Sequence, residues 1–532
     1  MAASAIDPAE AKRRVHAPGQ EIALLDVREH GQYGEGHPFL AIPCPFSRLE
    51  ALVPTLVPRL GVPILLIDDG DGVAERAAAR LAALGYRDVA WIAGGAPAWA
   101  LAGFTLFKGV NVPSKTLGEL LEERWHVPRV TVETLAAWQA EERGIHLFDG
   151  RPASEYRKTT VPGAASFPNG ELPHRFAAAV PDETAPVIVH CAGRTRSIVG
   201  ASGLALAGIP NPVFALENGT QGWALSGREL QKGSTPAPLP RLDAADIATS
   251  RGRARRILER YAIPAIGEAE LSRLAADPSR SLYVLDVRSA DEFARGSAPG
   301  AVHAPAVQLA QASDGWLGVR RARAVLADDT GLRAAITAVF LQALNYEVFV
   351  LTDVDRMSGG ALQRADAPQR DRLPSPPPSM TAAEAAALVK SGATILDLRG
   401  SMDYRAGHLD GARWATRSRL PGLSLSAEQP VILVGDADVV ALAAADLAAD
   451  GAPVAGWIAD GPEAWRKAGL SVVATPDVPT DAEAIDFLFF VHDRHDGNME
   501  AARRYLAWET GLVATLDEAE HGEYRIGPSP FH

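Results

Sequence analysis

The sequence predicts an α/β protein of four tandem units, each a mostly parallel sheet flanked by helices, followed by a short C-terminal extension. Three observations predict it. One opening motif recurs four times, apolar strands alternate with Ala/Leu-rich helical stretches, and Pro-rich linkers fall between repeats. Strands alternating with helical patterns imply βαβ units and parallel pairing. At 532 residues the chain is also too long for one core.

Each repeat opens with a short apolar strand ending in Asp-x-Arg: Leu25-Asp26-Val27-Arg28, Phe148-Asp149-Gly150-Arg151, Leu285-Asp286-Val287-Arg288 and Leu396-Asp397-Leu398-Arg399. A polar residue and an aromatic follow: Gln32-Tyr33, Glu155-Tyr156, Glu292-Phe293 and Asp403-Tyr404. Three repeats then turn at Pro162-Gly163-Ala164, Pro299-Gly300-Ala301 and Asp410-Gly411-Ala412. A second strand is predicted over 64–67, 187–190, 325–327 and 431–434. The helix after it is expected to close in left-handed caps at Gly85, Gly208, Asn345 and Gly451. A third strand precedes Gly-x-x-x-Trp, from Gly95 to Trp99, Gly219 to Trp223 and Gly461 to Trp465; the third repeat instead reads Ser358-Gly359-Gly360-Ala361-Leu362.

These signals place the domains at 1–107, 125–233, 262–372 and 379–475, with a docking tail at 476–532. The linkers 233–240 and 374–378 are Pro-rich. The break after residue 233 points to two pairs, the first unit with the second and the third with the fourth. Asp-x-Arg recurs in every repeat, which favours a structural anchor; in the second repeat it is Asp149 and Arg151.

Composition limits the function. A net charge of −13 argues against nucleic acid as a partner, because phosphate binding needs a basic surface. Two cysteines exclude a disulfide framework and fit a reducing compartment. The N-terminus lacks the pattern of a signal peptide, and no apolar run approaches the roughly 20 residues of a membrane helix. A cytoplasmic protein that binds neither membrane nor nucleic acid is expected.

The chemistry concentrates at residues 190–197, His-Cys-Ala-Gly-Arg-Thr-Arg-Ser. Cys191 falls where a strand ends and a helix is about to begin. Loop N–H groups, the helix N-terminus, Arg194 and Arg196 would all favour a thiolate. A loop made of Ala192, Gly193, Arg194, Thr195 and Arg196 can wrap its amides around an anion. Arg194 is expected to point outward towards an anionic donor, and Arg196 to hold the loop and balance its charge. His190 either tunes the thiol or ends the strand, and Cys44 reads as filler. Aligning the repeats from Pro63/Pro186 to Gly85/Gly208 puts Asp68 at the Cys191 position in the first repeat. Asp328 takes that position in the third, and Gly435 or Asp436 in the fourth.

These motifs resemble the rhodanese homology domain: the Asp-x-Arg opening, the Cys-centred loop between strand and helix, and the Gly-x-x-x-Trp ending. The stretch from Cys191 to Ser197, with Glu217-Asn218-Gly219-Thr220-Gln221-Gly222-Trp223 downstream, is similar to bacterial rhodanese-type sulfurtransferases. The resemblance implies a thiosulfate sulfurtransferase that passes a sulfane sulfur through a Cys191 persulfide. A small anionic donor would supply the sulfur to a thiol or protein acceptor, with no cofactor and no metal. The loss of the thiol at the aligned positions of the other repeats predicts one active domain in a scaffold of three inactive ones.

Two rivals stand beside it. A cysteine phosphatase also uses His-Cys and Arg-Ser, but with five residues between Cys and Arg; here four separate Cys191 from Arg196. A binding scaffold or sulfur-carrier partner would explain the three repeats without the thiol. In the tail, residues 487–491 form an apolar run, the segment from His492 to Gly497 reads as a polar turn rather than a metal site, and a helix is expected over 499–510.

Overall fold

The structure is a computed structural model and describes residues 4–352, 354, 362–369, 373–425, 428–493 and 497–531. It contains four parallel sheets. The first runs Ser4–Ile6, Val89–Ile92, Ile64–Ile67, Ala23–Asp26, Ile42–Pro43 across the sheet. The second repeats this order with Arg129–Val130, Val213–Leu216, Val187–His190, His146–Asp149 and Ala165–Ser166. In the third the order is Ala265–Ile266, Glu347–Leu351, Arg323–Ala327, Leu282–Asp286 and Val302–His303. The fourth keeps four strands: Val454–Ile458, Val431–Val434, Thr394–Asp397 and Arg413–Trp414. Its missing edge is reduced to a single parallel bridge between Ser379 and Trp457.

The strand chemistry explains the layers. The central strands Ile64–Ile67, Val187–His190 and Val431–Val434 are buried at every residue, as parallel strands covered by helices on both faces must be. The helices that follow close at Gly85, Gly208, Asn345 and Gly451, with φ of 97°, 66°, 68° and 79°. All four take the left-handed cap that the turn chemistry predicts.

The Asp-x-Arg motif has one geometry in all four sheets. Each arginine folds back on the aspartate two residues earlier and reaches one carbonyl eight residues later. Nη2 of Arg28, Arg151, Arg288 and Arg399 donates to the carbonyls of Gly36, Thr159, Gly296 and Gly407 at 2.6, 2.5, 2.5 and 2.8 Å. The pair thus ties the end of the strand to the end of the short helix after it.

The chain forms two compact units. One comprises 1–15, 23–110 and 368–491, and holds the first and fourth sheets. The other comprises 16–22, 111–367 and 492–532, and holds the second and third. The pairing suggested by the Pro-rich break is therefore corrected: the first sheet partners the fourth. A buried arginine makes each choice. In the first unit Arg417 is 1% exposed and donates to both oxygens of Glu50, at 2.5 and 2.8 Å. In the second, fully buried Arg333 donates to Glu171 at 2.9 Å.

The tail divides between the units. Ile485 accepts from Gln32 N–H at 3.1 Å, and Asp486 accepts from Ser401 N–H at 2.8 Å, both within the first unit. In the second unit the helix Met499–Thr515 packs on the helix Val112–Trp125. Arg494, His495 and Asp496 of the polar turn lie outside the described residues, as do positions 358–361 of the third repeat's altered ending.

Candidate active site at Cys191

Cys191 directly follows the strand Val187–His190, and the helix Thr195–Leu206 begins four residues later. Its side chain is 1% exposed, and its Sγ lies 3.7 Å from the Ser197 hydroxyl. That hydroxyl donates to the Arg194 carbonyl at 2.7 Å, closing the loop on itself.

The Gly-x-x-x-Trp motif positions the loop from below. Thr220 and Gln221 N–H donate to the carbonyls of Cys191 and Ala192 at 2.8 and 3.0 Å. Gly219 makes this possible: a Cβ there would meet the Cys191 carbonyl oxygen at 2.2 Å. Gly95 stands in the same relation to the Asp68 carbonyl oxygen, at 2.3 Å. Trp223, four residues on, is buried and donates its indole N–H to the Glu229 carbonyl at 3.0 Å.

Strand register identifies the equivalent residues. Asp26, Asp149, Asp286 and Asp397 pair with Ile67, His190, Ala327 and Val434. The next residues are Asp68, Cys191, Asp328 and Gly435, so the open choice in the fourth repeat resolves to Gly435. In the first and third sheets the aspartate fills the amide cradle. Asp68 accepts the N–H groups of Gly70 and Ala74 at 2.9 Å each. Asp328 accepts the N–H of Arg333 at 2.9 Å and its guanidinium at 2.9 and 3.1 Å.

The two arginines of the cysteine loop are both occupied. Arg194 does not point outward; it is 7% exposed and forks onto Glu119 at 2.8 and 2.9 Å, with Glu122 as a further partner. Arg196 forks onto Glu155 at 2.6 and 2.9 Å. Burial alone would make Arg196 less basic; Glu155, with the charge of Cys191 adding to it, raises it above its usual range. Thr195 donates its hydroxyl to Glu509 at 2.7 Å. Two arginines thus meet three carboxylates, with a fourth, Glu509, on Thr195 between them, and the electropositive cradle expected from the sequence is largely neutralised. Burial pushes Glu119 up to about 7 against the pull of Arg194, with Glu509 and Glu122 adding to the rise.

His190 ends the strand, its Nδ1 3.3 Å from the Cys191 carbonyl oxygen. Its Nε2 lies 3.7 Å from Asp149 and 3.3 Å from the Thr160 hydroxyl. Burial lowers its affinity for a proton. Burial opposes ionisation of Asp149, yet His190, Arg151 and Thr160 hold it at about 2. Cys44 is fully buried, and burial pushes its thiol well above the usual cysteine range.

Sequence reasoning missed Glu119, Gln221 and Glu509 as site residues, and saw Glu155 only as a repeat marker. Glu155 had a usable signal, since the same position in the third repeat, Glu292, holds Arg333. Glu119 and Glu509 lie outside the repeats and carried none. No group of side chains suited to a metal ion occurs among the described residues, and no described helix is long and apolar enough to cross a membrane.

Four sheets of one strand order, with a single cysteine loop among them, define the class as a tandem-repeat α/β enzyme. The chain belongs to the rhodanese family: the Rhodanese-like domain model matches residues 7–102, 131–226 and 268–353. The fourth sheet joins them by its strand order. A thiosulfate sulfurtransferase from Pseudomonas aeruginosa is similar at 35% identity, over 98% of this chain and 99% of that one, with a TM-score of 0.86. SseA from Escherichia coli, described with the 3-mercaptopyruvate sulfotransferases, is similar at 19% identity over 43% of this chain and 97% of its own, with a TM-score of 0.22. A comparison with proteins of curated function gave no match. The protein is a rhodanese-family sulfurtransferase.

Proposed function

We propose that the second domain moves a sulfane sulfur from thiosulfate or a related donor to a thiol acceptor, or to cyanide in an assay, through a persulfide on Cys191. The Cys191 thiolate attacks the outer sulfur of the donor. The S–S bond of thiosulfate breaks, sulfite leaves with the bonding pair, and Cys191 carries the persulfide. An acceptor thiolate then attacks the outer persulfide sulfur and releases the Cys191 thiolate. This is two-step covalent catalysis with ping-pong kinetics.

One observation carries the reading. The Cys191 position is where the first and third sheets seat a carboxylate on loop amides. The same backbone design suits a thiolate or persulfide anion. Arg196, with Glu155 behind it, supplies the nearby positive charge, while Ala192, Gly193 and Thr195 supply the loop backbone. Arg194 positions the loop through Glu119 rather than grasping the donor. The remaining domains carry no sulfur and serve as scaffold.

The test is thiosulfate-to-cyanide turnover of the Cys191→Ser variant, with mass spectrometry of the wild type after donor treatment. Loss of turnover and one added sulfur on Cys191 are expected. Full activity in the variant would refute the assignment.

A further inference from the structure

The helix Ala244–Arg260 carries five arginines against one aspartate and one glutamate, in a chain whose net charge is −13. It buries Ser250, Ala254 and Ile257 and turns the opposite face to solvent. Arg251, Arg255 and Arg256 are exposed, and Arg253 is half-buried. None of these four forms an ion pair among the described residues. The two arginines of the cysteine loop differ, since both fork onto glutamates.

Helical spacing arranges the four in two rows. With 3.6 residues per turn, Arg251 and Arg255 line one side of the exposed face, and Arg253 and Arg256 the other. Ala248 and Gly252, four residues apart, run between the rows. Glycine inside a helix is about 1 kcal/mol less favourable than alanine. The fold itself does not require it here. A Cβ on Gly252 would meet no neighbouring group closer than Nη1 of Arg256, at 3.9 Å.

The arginine spacing also works against the isolated helix. Like charges three or four residues apart repel one another. Burial lowers Arg253 below the usual arginine range; Arg256 adds to the fall and Glu183 opposes it. An anionic chain lying between the rows would offset the repulsion with charge-assisted hydrogen bonds. The missing side chain at Gly252 lets the backbone of such a chain come close.

The same face selects the kind of anion. The helix has no aromatic residue on which a base could stack, and no large apolar side chain between the rows to enter a lipid surface. Arg251 to Arg256 span only about 8 Å of the helix axis. The acidic remainder of the chain repels a long polyanion. A short run of carboxylates matches both that length and the planar fork of a guanidinium.

We infer that this face docks an acidic segment of a partner protein. The segment's backbone rests on Ala248 and Gly252, and its aspartates or glutamates fork onto Arg251 and Arg255 on one side and Arg253 and Arg256 on the other. The inference goes beyond the chemistry at Cys191 and does not depend on it.

The test is fluorescence anisotropy of labelled octaglutamate titrated with the full chain at low salt. Octaglutamate is expected to bind and octaglutamine is not, and added salt should weaken the binding. Replacing Arg251, Arg255 and Arg256 together by glutamine is expected to weaken it about tenfold or more. All three are exposed, so the fold is expected to hold; Arg251→Gln and Arg255→Gln singly serve if circular dichroism shows otherwise. Gly252→Leu keeps every charge and improves helix propensity, yet blocks the close approach. It too is expected to weaken binding about tenfold.

Failure of octaglutamate to bind overturns the inference. So does binding that the arginine variants leave unchanged. Binding lost with the arginines but kept in Gly252→Leu would mean diffuse charge attraction rather than a seated segment, and overturns it as well. Tighter binding of oligothymidylate or of phosphatidylglycerol vesicles than of octaglutamate assigns the face to nucleic acid or lipid instead.

Discussion

Asp328 stands in the third sheet where Cys191 stands in the second. Each follows the strand residue paired with the Asp-x-Arg aspartate, and each precedes an arginine by five residues. In the third sheet the carboxylate and Arg333 neutralise one another in full burial. In the second, Arg196 is held by Glu155 and faces the charge of Cys191. One backbone design thus seats a carboxylate in one domain and a thiol in the other.

The two cysteines should behave oppositely. Cys191→Ser is expected to lower sulfur transfer about a thousandfold or more. Cys44→Ala should leave it within about twofold, because burial keeps that thiol protonated. Steady-state assays with thiosulfate and cyanide check both, and persulfide titration should give one sulfur per chain.

The Glu155–Arg196 pair should act as a unit. Arg196→Lys loses the two-pronged contact and is expected to reduce kcat/KM about ten- to a hundredfold. Adding Glu155→Gln to that variant should cost little more, because the two changes disrupt one interaction. Independent, multiplying losses would show that the residues act separately.

Removing charge from two aspartates should separate a buried site in the third domain from an exposed one in the fourth. Asp328→Asn leaves buried Arg333 with Glu171, Glu292 and Asp329, and is expected to cost about 2–3 kcal/mol. Asp436 has an exposed side chain paired with Arg48, so Asp436→Asn should cost about 0.5 kcal/mol or less. Denaturant titration of each variant against the wild type measures the difference.

His174 should make the second unit sensitive to acid. Burial, followed by the charge of Arg333, pushes it down to about 4, while in an unfolded chain it sits near 6.5. Between these values the unfolded chain takes up the proton first, so stability falls as pH drops from 6.5 to 4 and the loss is complete below 4. The total is roughly 3 kcal/mol. His174→Asn should flatten that stretch of the stability-against-pH curve. An unchanged slope would assign the acid response to other groups.

Much of the architecture was legible because the repeat records it locally. The caps at Gly85, Gly208, Asn345 and Gly451 follow from residues that tolerate positive φ at a helix end. The alignment of Cys191 with Asp68 and Asp328 needed only the strand before and the helix after. The misreadings share one cause. Arg194 was expected to face outward because its partners, Glu119 and Glu122, sit more than seventy residues away in a helix outside the repeats. Glu509 was invisible for the same reason, at 314 residues from Thr195.

By itself the sequence determined four α/β repeats, the single loop carrying a cysteine at a strand end, and the aspartates that replace it elsewhere. These are matters of backbone propensity and local side-chain chemistry, which neighbouring residues settle among themselves. Only the tertiary structure decided that the first sheet partners the fourth, that both loop arginines are neutralised, and that a carboxylate from the last long helix borders Gly193. Those outcomes depend on which distant charged groups are buried together. Burial makes every unpaired charge costly, so packing, not sequence distance, chooses the partner.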